Sequence, residues 1–294
     1  MGALGTVITA IVTPFTEDGA VDEDTFVSLL HHLAEHGSDG FVVCGTTGEA
    51  PTLADDEHLR VIELAVQQRP KGTTIIAGTG SNDTAHAAHM TQRATDAGVD
   101  ATLSVTPYYN KPNRRGIRAH YEAIASATDK PIMLYNIPGR TATNMPPDLL
   151  SELAQIDNIT GVKQANGDEL APIDGLEIYA GDDANFGRCL DFGGAGGVLV
   201  ASHIVGDEMR RMVDEPENRA EIDASLRDVY ETLFLTASPT CTKAALNLLG
   251  HDVGTLRLPM VEADEAETAA VRAMLERHGL TSAGATAARP VHAS

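Results

Sequence analysis

Cysteine is scarce in this sequence, and long apolar runs are absent. The chain has an odd number of cysteines, Cys44, Cys189 and Cys241, and they lack C-x-x-C spacing. We therefore expect buried, reduced thiols and no disulfide framework. The chain has no run of about 18 apolar residues, which argues against a membrane-spanning helix. Residues 1–13 lack the basic region of a signal peptide. We therefore expect a cytoplasmic protein.

Lysine is also scarce, at five residues, and the net charge is −21 from 42 acidic and 21 basic residues. Such a surface would repel the phosphates of a nucleic acid, which makes a nucleic-acid partner unexpected. Acid-rich, lysine-poor surfaces stay hydrated in concentrated salt, where screening suppresses their self-repulsion. The composition therefore predicts a halophilic source, and an ordinary acidic cytoplasmic protein is the alternative.

The histidines do not form a metal-binding pattern. His32 and His36, and His86 and His89, are spaced for one helix face, but H-E-x-x-H does not occur. We interpret both pairs as helix surface and predict no metal site.

Short apolar runs alternate with longer helical patterns along most of the 294 residues. The predicted strands are residues 7–11, 40–44, 74–77, 101–106, 132–136, 159–163, 176–179 and 197–201. The helical patterns between them are residues 22–36, 55–68, 83–97, 116–128, 147–155 and 184–192. Asp22, Asp55 and Asp83 are predicted N-caps, and Gly37 and Gly98 are predicted helix terminators.

Strand–helix alternation requires parallel strand pairing, because each crossover returns the chain to the same edge of the sheet. Eight such units predict an α/β fold, a (β/α)8 TIM barrel, over residues 1–206. An open doubly wound sheet is the alternative. Three helical patterns follow, at 217–236, 240–249 and 260–278, and predict a C-terminal helical appendage over residues 207–280. Residues 281–294 are predicted to be a flexible tail.

Reactive or anion-binding side chains lie at the carboxyl ends of five of the predicted strands or directly after them. In a barrel, the carboxyl ends of the strands converge on the catalytic face. The five segments are G-T-T-G-E (45–49), P-Y-Y-N (107–110), Y-N-I-P-G-R-T (135–141), G-V-K (161–163) and G-D-D (181–183).

Lys163 is unusual because it ends the apolar run Ile-Thr-Gly-Val-Lys. Burial disfavours the ammonium form, so its pKa is expected to fall toward neutrality. A neutral amine attacks a ketone to form an imine, which acidifies the adjacent methyl group and gives an enamine that adds to an aldehyde. A structural lysine at a strand end is the alternative.

Hydroxyl groups and one arginine accompany this lysine. Thr46, Tyr109 and Tyr135 can relay protons without adding a buried charge. Glycines beside Thr46 let backbone amides approach a carboxylate. Arg140 offers a planar donor fork for the carboxylate of a second substrate.

Together these segments resemble the dihydrodipicolinate synthase family, also called the 4-hydroxy-tetrahydrodipicolinate synthase family, within the N-acetylneuraminate lyase superfamily. The resemblance covers residues from about 4 to 280. It implies condensation of pyruvate with L-aspartate-4-semialdehyde to 4-hydroxy-tetrahydrodipicolinate, the first committed step of diaminopimelate and lysine biosynthesis. It also implies a homotetramer, a dimer of tight dimers, that uses neither a metal nor an organic cofactor.

The resemblance assigns roles to individual residues. Lys163 would form the imine with pyruvate, and Tyr135 would transfer protons while hydrogen-bonded to Thr46. Tyr109 would complete the relay from a neighbouring subunit. The substrate-binding residues would be Thr47 for the pyruvate carboxylate, Arg140 for the semialdehyde carboxylate, Val198 through its backbone carbonyl, and Gly181 of G-D-D.

Two departures from the family pattern affect specificity and regulation. Members often carry Asn-Pro-x-Pro-x-Lys where this chain reads Ser-Pro-Thr-Cys-Thr-Lys at 238–243. In some members the allosteric lysine site uses polar residues after G-T-T-G-E and a glutamate after the G-T-G turn. Here Ala50-Pro51 follows the first motif, Asp55 replaces a histidine and His86 replaces the glutamate, although His58 and Asn82 match. We predict weak or absent feedback inhibition by lysine.

Two other functions stay open on the sequence alone. A 2-keto-3-deoxygluconate-type aldolase would use the same lysine and tyrosine, but such aldolases typically lack an arginine at the position of Arg140. A non-catalytic keto-acid-binding protein is the alternative of another class.

Overall fold

Eight parallel strands close into one barrel in the computed structural model, which describes residues 2–280. The strands pair in chain order, and β1 also pairs with β8. Their bounds are β1 Val7–Ala10, β2 Gly40–Val43, β3 Thr74–Gly78, β4 Ala101–Val105, β5 Ile132–Asn136, β6 Ile159–Gln164, β7 Glu177–Ala180 and β8 Gly196–Leu199. The predicted TIM barrel is confirmed, and the open sheet is not observed.

Helices follow the strands. They are α1 Glu23–Glu35, α2 Asp55–Gln67, α3 Thr84–Ala97, α4 Arg114–Ala125, α5 Pro138–Thr141, α6 Pro147–Leu153, α7 Phe186–Asp191 and α8 Gly206–Asp214. Most of them cover the outside of the barrel, whereas the short α5 lies at its carboxyl end. Four helices follow, α9 Arg219–Ser225, α10 Arg227–Leu233, α11 Thr240–Leu248 and α12 Glu265–Arg277. The predicted C-terminal helical part is therefore confirmed. The division at residue 206 stays a prediction, and the predicted tail at 281–294 lies outside the described residues.

The strands are buried on both faces, as expected for a parallel sheet with a helical cover. Alternate residues such as Ile8, Val42 and Met133 fill the barrel interior. Their strand neighbours, including Phe41 and Leu134, pack against the helices. This alternation decides which strand-end residues point into the barrel.

Helix boundaries follow local capping chemistry. The Asp22 side chain accepts from the Thr25 amide at 3.0 Å, and that of Asp83 accepts from the Ala85 amide at 2.9 Å. The N-cap prediction for Asp55 is wrong, because Ala54 precedes the helix. The Asp55 carboxylate instead contacts His86 Nε2 at 3.1 Å. Gly98 ends α3 with φ +93°, a conformation that favours glycine.

In the C-terminal region the helices differ from the prediction in two respects. The pattern at 217–236 forms two helices, which meet at Leu226 with φ −98° and ψ 0°. Helix α8 was not predicted.

The three cysteines are buried and unpaired, as expected. Among residues 2–280, no helix has both the length and the apolar character needed to cross a bilayer.

Candidate active site

A cavity of about 520 Å³ opens at the carboxyl ends of the strands. Thr46, Tyr135 and Arg140 line it, and they come from the ends of β2 and β5. The cavity extends past Leu103 to Asp55 and His86, at the starts of α2 and α3.

Lys163 and Tyr135 are register partners on β6 and β5, so their side chains emerge on the same face of the sheet. Lys163 is 6% exposed, and its Nζ lies 4.4 Å from the centroid of the Tyr135 ring. Burial lowers the pKa of Lys163 to about 8, against the opposing charge of Asp183. A substantial fraction of this amine is therefore neutral near physiological pH, as a nucleophile requires.

The Tyr135 hydroxyl stays protonated at neutral pH. Burial raises the pKa of Tyr135 to about 12, while Arg140 and a hydrogen bond with Thr46 act in the opposite direction. A protonated phenol beside a hydroxyl can accept one proton while it passes on another. The pair is therefore suited to proton relay.

The G-T-T-G-E loop is a tight turn that brings backbone close to the cavity. The Glu49 amide donates to the Thr46 carbonyl at 3.1 Å, and the Thr13 hydroxyl donates to the Gly48 carbonyl at 2.7 Å. Thr47 is buried at 5% exposure. A Cβ on Gly48 would lie 3.2 Å from backbone atoms of Cys44 and Ile11, so this close packing favours glycine.

The ends of β7 and β8 are joined through a buried carboxylate. Asp183 Oδ1 accepts from the backbone amides of Val200 and Ala201, at 2.9 and 3.0 Å. Burial raises the pKa of Asp183 to about 6. The contact fixes the backbone just beyond Val198, which is itself buried on β8.

Gly181 lies next to the strand that carries Lys163. Its amide donates to the Gln164 carbonyl at 2.9 Å. A Cβ at this position would lie 2.7 Å from the backbone nitrogen of Ala165. A side chain would therefore separate the ends of β6 and β7.

Two buried side-chain amides join the strands that carry Tyr135 and Lys163, and the sequence analysis missed them. Asn136 follows Tyr135, Gln164 follows Lys163, and Asn136 Nδ2 donates to Gln164 Oε1 at 3.0 Å. Asn136 Oδ1 accepts from the Met145 amide at 3.0 Å. The sequence feature that could have indicated them is a polar residue directly after Tyr135 and after Lys163. Because side chains alternate along a strand, such a residue faces away from the barrel interior and needs a polar partner there.

Tyr109 and Arg140 lie at the outside of the site. Tyr109 is 88% exposed and does not line the cavity. Its loop is held by the Asn110 side chain, which donates to the Asn82 carbonyl at 2.8 Å. Arg140 is exposed at the cavity mouth. Within a single subunit, Tyr109 is thus not brought together with Tyr135 and Thr46.

Comparisons with known proteins agree with these features. The sequence profile of the dihydrodipicolinate synthetase family matches residues 3–278. The 4-hydroxy-tetrahydrodipicolinate synthase of Heliobacterium modesticaldum is 44% identical over 288 residues, covering 94% of this chain and 96% of that protein.

Solved structures show the same relationship. The dihydrodipicolinate synthase of Cyanidioschyzon merolae with lysine bound has a TM-score of 0.91 and 41% identity, over 95% of this chain and 100% of that chain. The chloride-inhibited enzyme of Acinetobacter baumannii, complexed with pyruvate, has a TM-score of 0.90 and 35% identity, over 95% and 100%. This chain therefore belongs to the dihydrodipicolinate synthetase family.

Proposed function

We propose that this protein is a Schiff-base lyase that condenses pyruvate with L-aspartate-4-semialdehyde to 4-hydroxy-tetrahydrodipicolinate. This is the first committed step of diaminopimelate and lysine biosynthesis. The observation that carries the proposal is a buried lysine amine directly against the ring of a buried tyrosine, at the catalytic end of a barrel. Relatives named as this synthase support the choice of substrates.

Lys163 starts the reaction as its neutral amine. The amine attacks the keto carbon of pyruvate, and loss of water gives an imine that becomes a strong electron sink when protonated. Removal of a proton from the adjacent methyl group gives an enamine, whose carbon bonds to the aldehyde carbon. The amino group of the semialdehyde then attacks the imine carbon, which closes the ring and releases Lys163. The imine is the electron sink, so the proposal includes no metal or organic cofactor.

Tyr135 and Thr46 move protons in these steps. Because the phenol is protonated at neutral pH, it donates to the hydroxyl that leaves as water and receives protons in return. We propose that Tyr109 of a neighbouring subunit completes the relay, which would explain why this tyrosine is exposed in one chain.

The substrate carboxylates are assigned to opposite ends of the site. Thr47, in the tight turn beside Thr46, would hold the pyruvate carboxylate together with nearby backbone amides. Arg140, at the mouth, would hold the carboxylate of the semialdehyde as a charged donor fork. Gly181 and the Val198 carbonyl would border the substrates from β7 and β8.

We also propose a homotetrameric assembly and a cytoplasmic location in a salt-adapted source. A tetramer would supply Tyr109 from a second subunit. The net charge of −21 supports the salt adaptation, and it speaks against a nucleic-acid partner. The mass in solution, measured by light scattering, should correspond to four chains.

The test of the proposed chemistry is reductive trapping. The protein is incubated with pyruvate in high KCl and reduced with borohydride, and the adduct is located by mass spectrometry. We expect one adduct, on Lys163, and none in Lys163→Ala. An unmodified Lys163 in the folded protein would contradict the imine mechanism and favour a keto-acid-binding protein.

A second assay identifies the aldehyde partner. Purified enzyme is given pyruvate with L-aspartate-4-semialdehyde, or 2-keto-3-deoxygluconate alone. We expect condensation in the first reaction and no pyruvate release in the second. Rapid pyruvate release from the sugar acid would identify an aldolase instead.

A further inference from the structure

The loop after β2 ends in a residue that is both buried and in an uncommon backbone conformation. Glu49 is 3% exposed and has φ +54°, in the left-handed region that few non-glycine residues adopt. Its amide closes the turn onto the Thr46 carbonyl. Such a conformation persists only where surrounding contacts hold it.

Lys243 and Arg257, from the C-terminal helical part, hold the Glu49 carboxylate. Lys243 Nζ lies 2.7 Å from Glu49 Oε1, and the Arg257 amide donates to Glu49 Oε2 at 3.1 Å. Lys243 is 1% exposed, and its Nζ also donates to the Thr255 carbonyl at 2.7 Å. The same ammonium lies 4.2 Å from the centroid of the Phe15 ring. The two buried charges thus neutralise each other.

The Arg257 side chain holds the chain on the far side of this loop. Its guanidinium donates to the Thr52 carbonyl at 2.9 Å and to the Glu57 carboxylate at 2.7 Å. Both ends of the segment from Glu49 to Glu57 are therefore attached to residues 243–257. The barrel strands alone do not provide these contacts.

We infer that Lys243 is a positioning residue, which acts through Glu49 to fix the turn that presents Thr46 and Thr47 to the substrate. This inference rests on the proposed function, in which Thr46 and Thr47 have their roles. The Lys243 ammonium contacts the Glu49 carboxylate and the Thr255 carbonyl, so it acts on the reaction through Glu49. Removal of one member of a buried ion pair leaves the other charge uncompensated. Without the ammonium, the Glu49 carboxylate is driven toward water and the turn moves with it.

Two single variants and their combination test this inference. Lys243→Met keeps the length of the side chain and removes its charge, and Glu49→Gln does the same for the partner. The readout is the pyruvate concentration that gives half-maximal borohydride trapping on Lys163. We expect this concentration to rise about tenfold or more in each single variant, because small displacements of binding groups have large effects. The double variant should be no worse than the more impaired single variant, since the two residues share one interaction.

Leu246→Ala is the matched control. Leu246 is fully buried on the same helix, α11, and its apolar side chain makes no bond to Glu49. Leu246→Ala should have a lower Tm and an unchanged half-saturating pyruvate concentration. Lys243→Met would give the same result if Lys243 served stability alone. If Lys243→Met does not fold, Glu49→Gln decides the question.

The outcomes separate this inference from the proposed function. Trapping in the wild type, with folded variants that bind pyruvate as the wild type does, overturns the positioning role alone. A wild type that is not trapped at Lys163 overturns the proposed function, and the positioning role with it.

Discussion

A lysine that acts as a nucleophile must lose its proton near neutral pH, and burial lowers the pKa of Lys163 from 10.5 to about 8. In the proposed mechanism only the neutral amine of Lys163 attacks pyruvate, so the rate of borohydride trapping should rise as pH passes through about 8 and then level off. Single-turnover trapping across a pH series measures this midpoint. A rate that keeps rising beyond pH 10, as for an exposed lysine, would contradict it.

Asp183 provides the control for this pH profile. Its negative charge raises the pKa of Lys163. In Asp183→Asn, the side-chain oxygen can still accept from the amides of Val200 and Ala201. The midpoint of trapping should therefore move to lower pH in this variant, and an unchanged midpoint would show that the charge does not act on Lys163.

The Tyr135 hydroxyl is expected to matter for turnover more than for binding. In Tyr135→Phe the ring that contacts Lys163 remains, and the proton-transfer group is lost. We expect kcat to fall about 100-fold or more, with the half-saturating pyruvate concentration changed less than about threefold. Tyr121→Phe is the control, because that hydroxyl is also buried but donates to the Ser104 carbonyl outside the cavity. Equal kcat values in both variants would exclude a relay through Tyr135.

Arg140 is expected to select the second substrate. Arg140→Gln should raise KM for the semialdehyde roughly 10- to 100-fold, since a charged hydrogen bond contributes about 1.5–3 kcal/mol. Arg140 also lowers the pKa of Lys163, so its removal affects the fraction of neutral amine. Above about pH 9 the amine is neutral in either case, and the half-saturating pyruvate concentration of Arg140→Gln should then differ little from that of the wild type. Arg272→Gln, an exposed arginine on α12, is the control. An unchanged KM in Arg140→Gln would remove the main reason for choosing this aldehyde.

At the scale of elements, the starts of α2 and α3 form the outer end of the cavity. Asp55 and His86 contact each other there at 3.1 Å, and His58 Nε2 lies 2.7 Å from the Gly78 carbonyl. An amino-acid effector would find the Asp55 carboxylate already occupied and no glutamate at position 86. Millimolar L-lysine should therefore inhibit initial rates by less than half. Half-maximal inhibition below millimolar concentration would contradict this.

The order of the elements was predictable because each strand is a short apolar run bounded by glycine or polar residues. Helix α8 was missed because five of its nine residues are charged, so only Met209, Met212 and Val213 mark its apolar face. The break between α9 and α10 was missed because the apolar pattern continues across it. Ile222, Leu226, Val229 and Leu233 keep a continuous helical spacing and are all buried, although the backbone changes direction at Leu226.

The candidate site residues were predictable because they lie at, or a few residues beyond, the carboxyl ends of strands. The supporting contacts were not, because they join distant parts of the chain. Glu49 and Arg257 are 208 positions apart, and no local pattern signals their pairing. Asp183 was included in the G-D-D motif, but its bonds to β8 depend on how the barrel closes.

For the whole molecule, the net charge of −21 is the dominant property. Repulsion among the acidic side chains opposes the compact state. Salt weakens this repulsion, because the Debye length falls from about 10 Å at 0.1 M to about 3 Å at 1 M. Tm measured by calorimetry should therefore rise as KCl increases from dilute to molar concentration. A constant or falling Tm would contradict salt adaptation.

The contact of Lys243 and Arg257 with Glu49 also sets an order of events during synthesis. A ribosome that has completed the eighth strand, at Leu199, has made every strand of the barrel and Lys163. The residues that hold the Thr46 turn have not yet been translated. A partly made chain can thus contain Lys163 before the contacts that hold the Thr46 turn can form, so on the proposed function we expect full affinity for pyruvate only after the C-terminal helices have been translated.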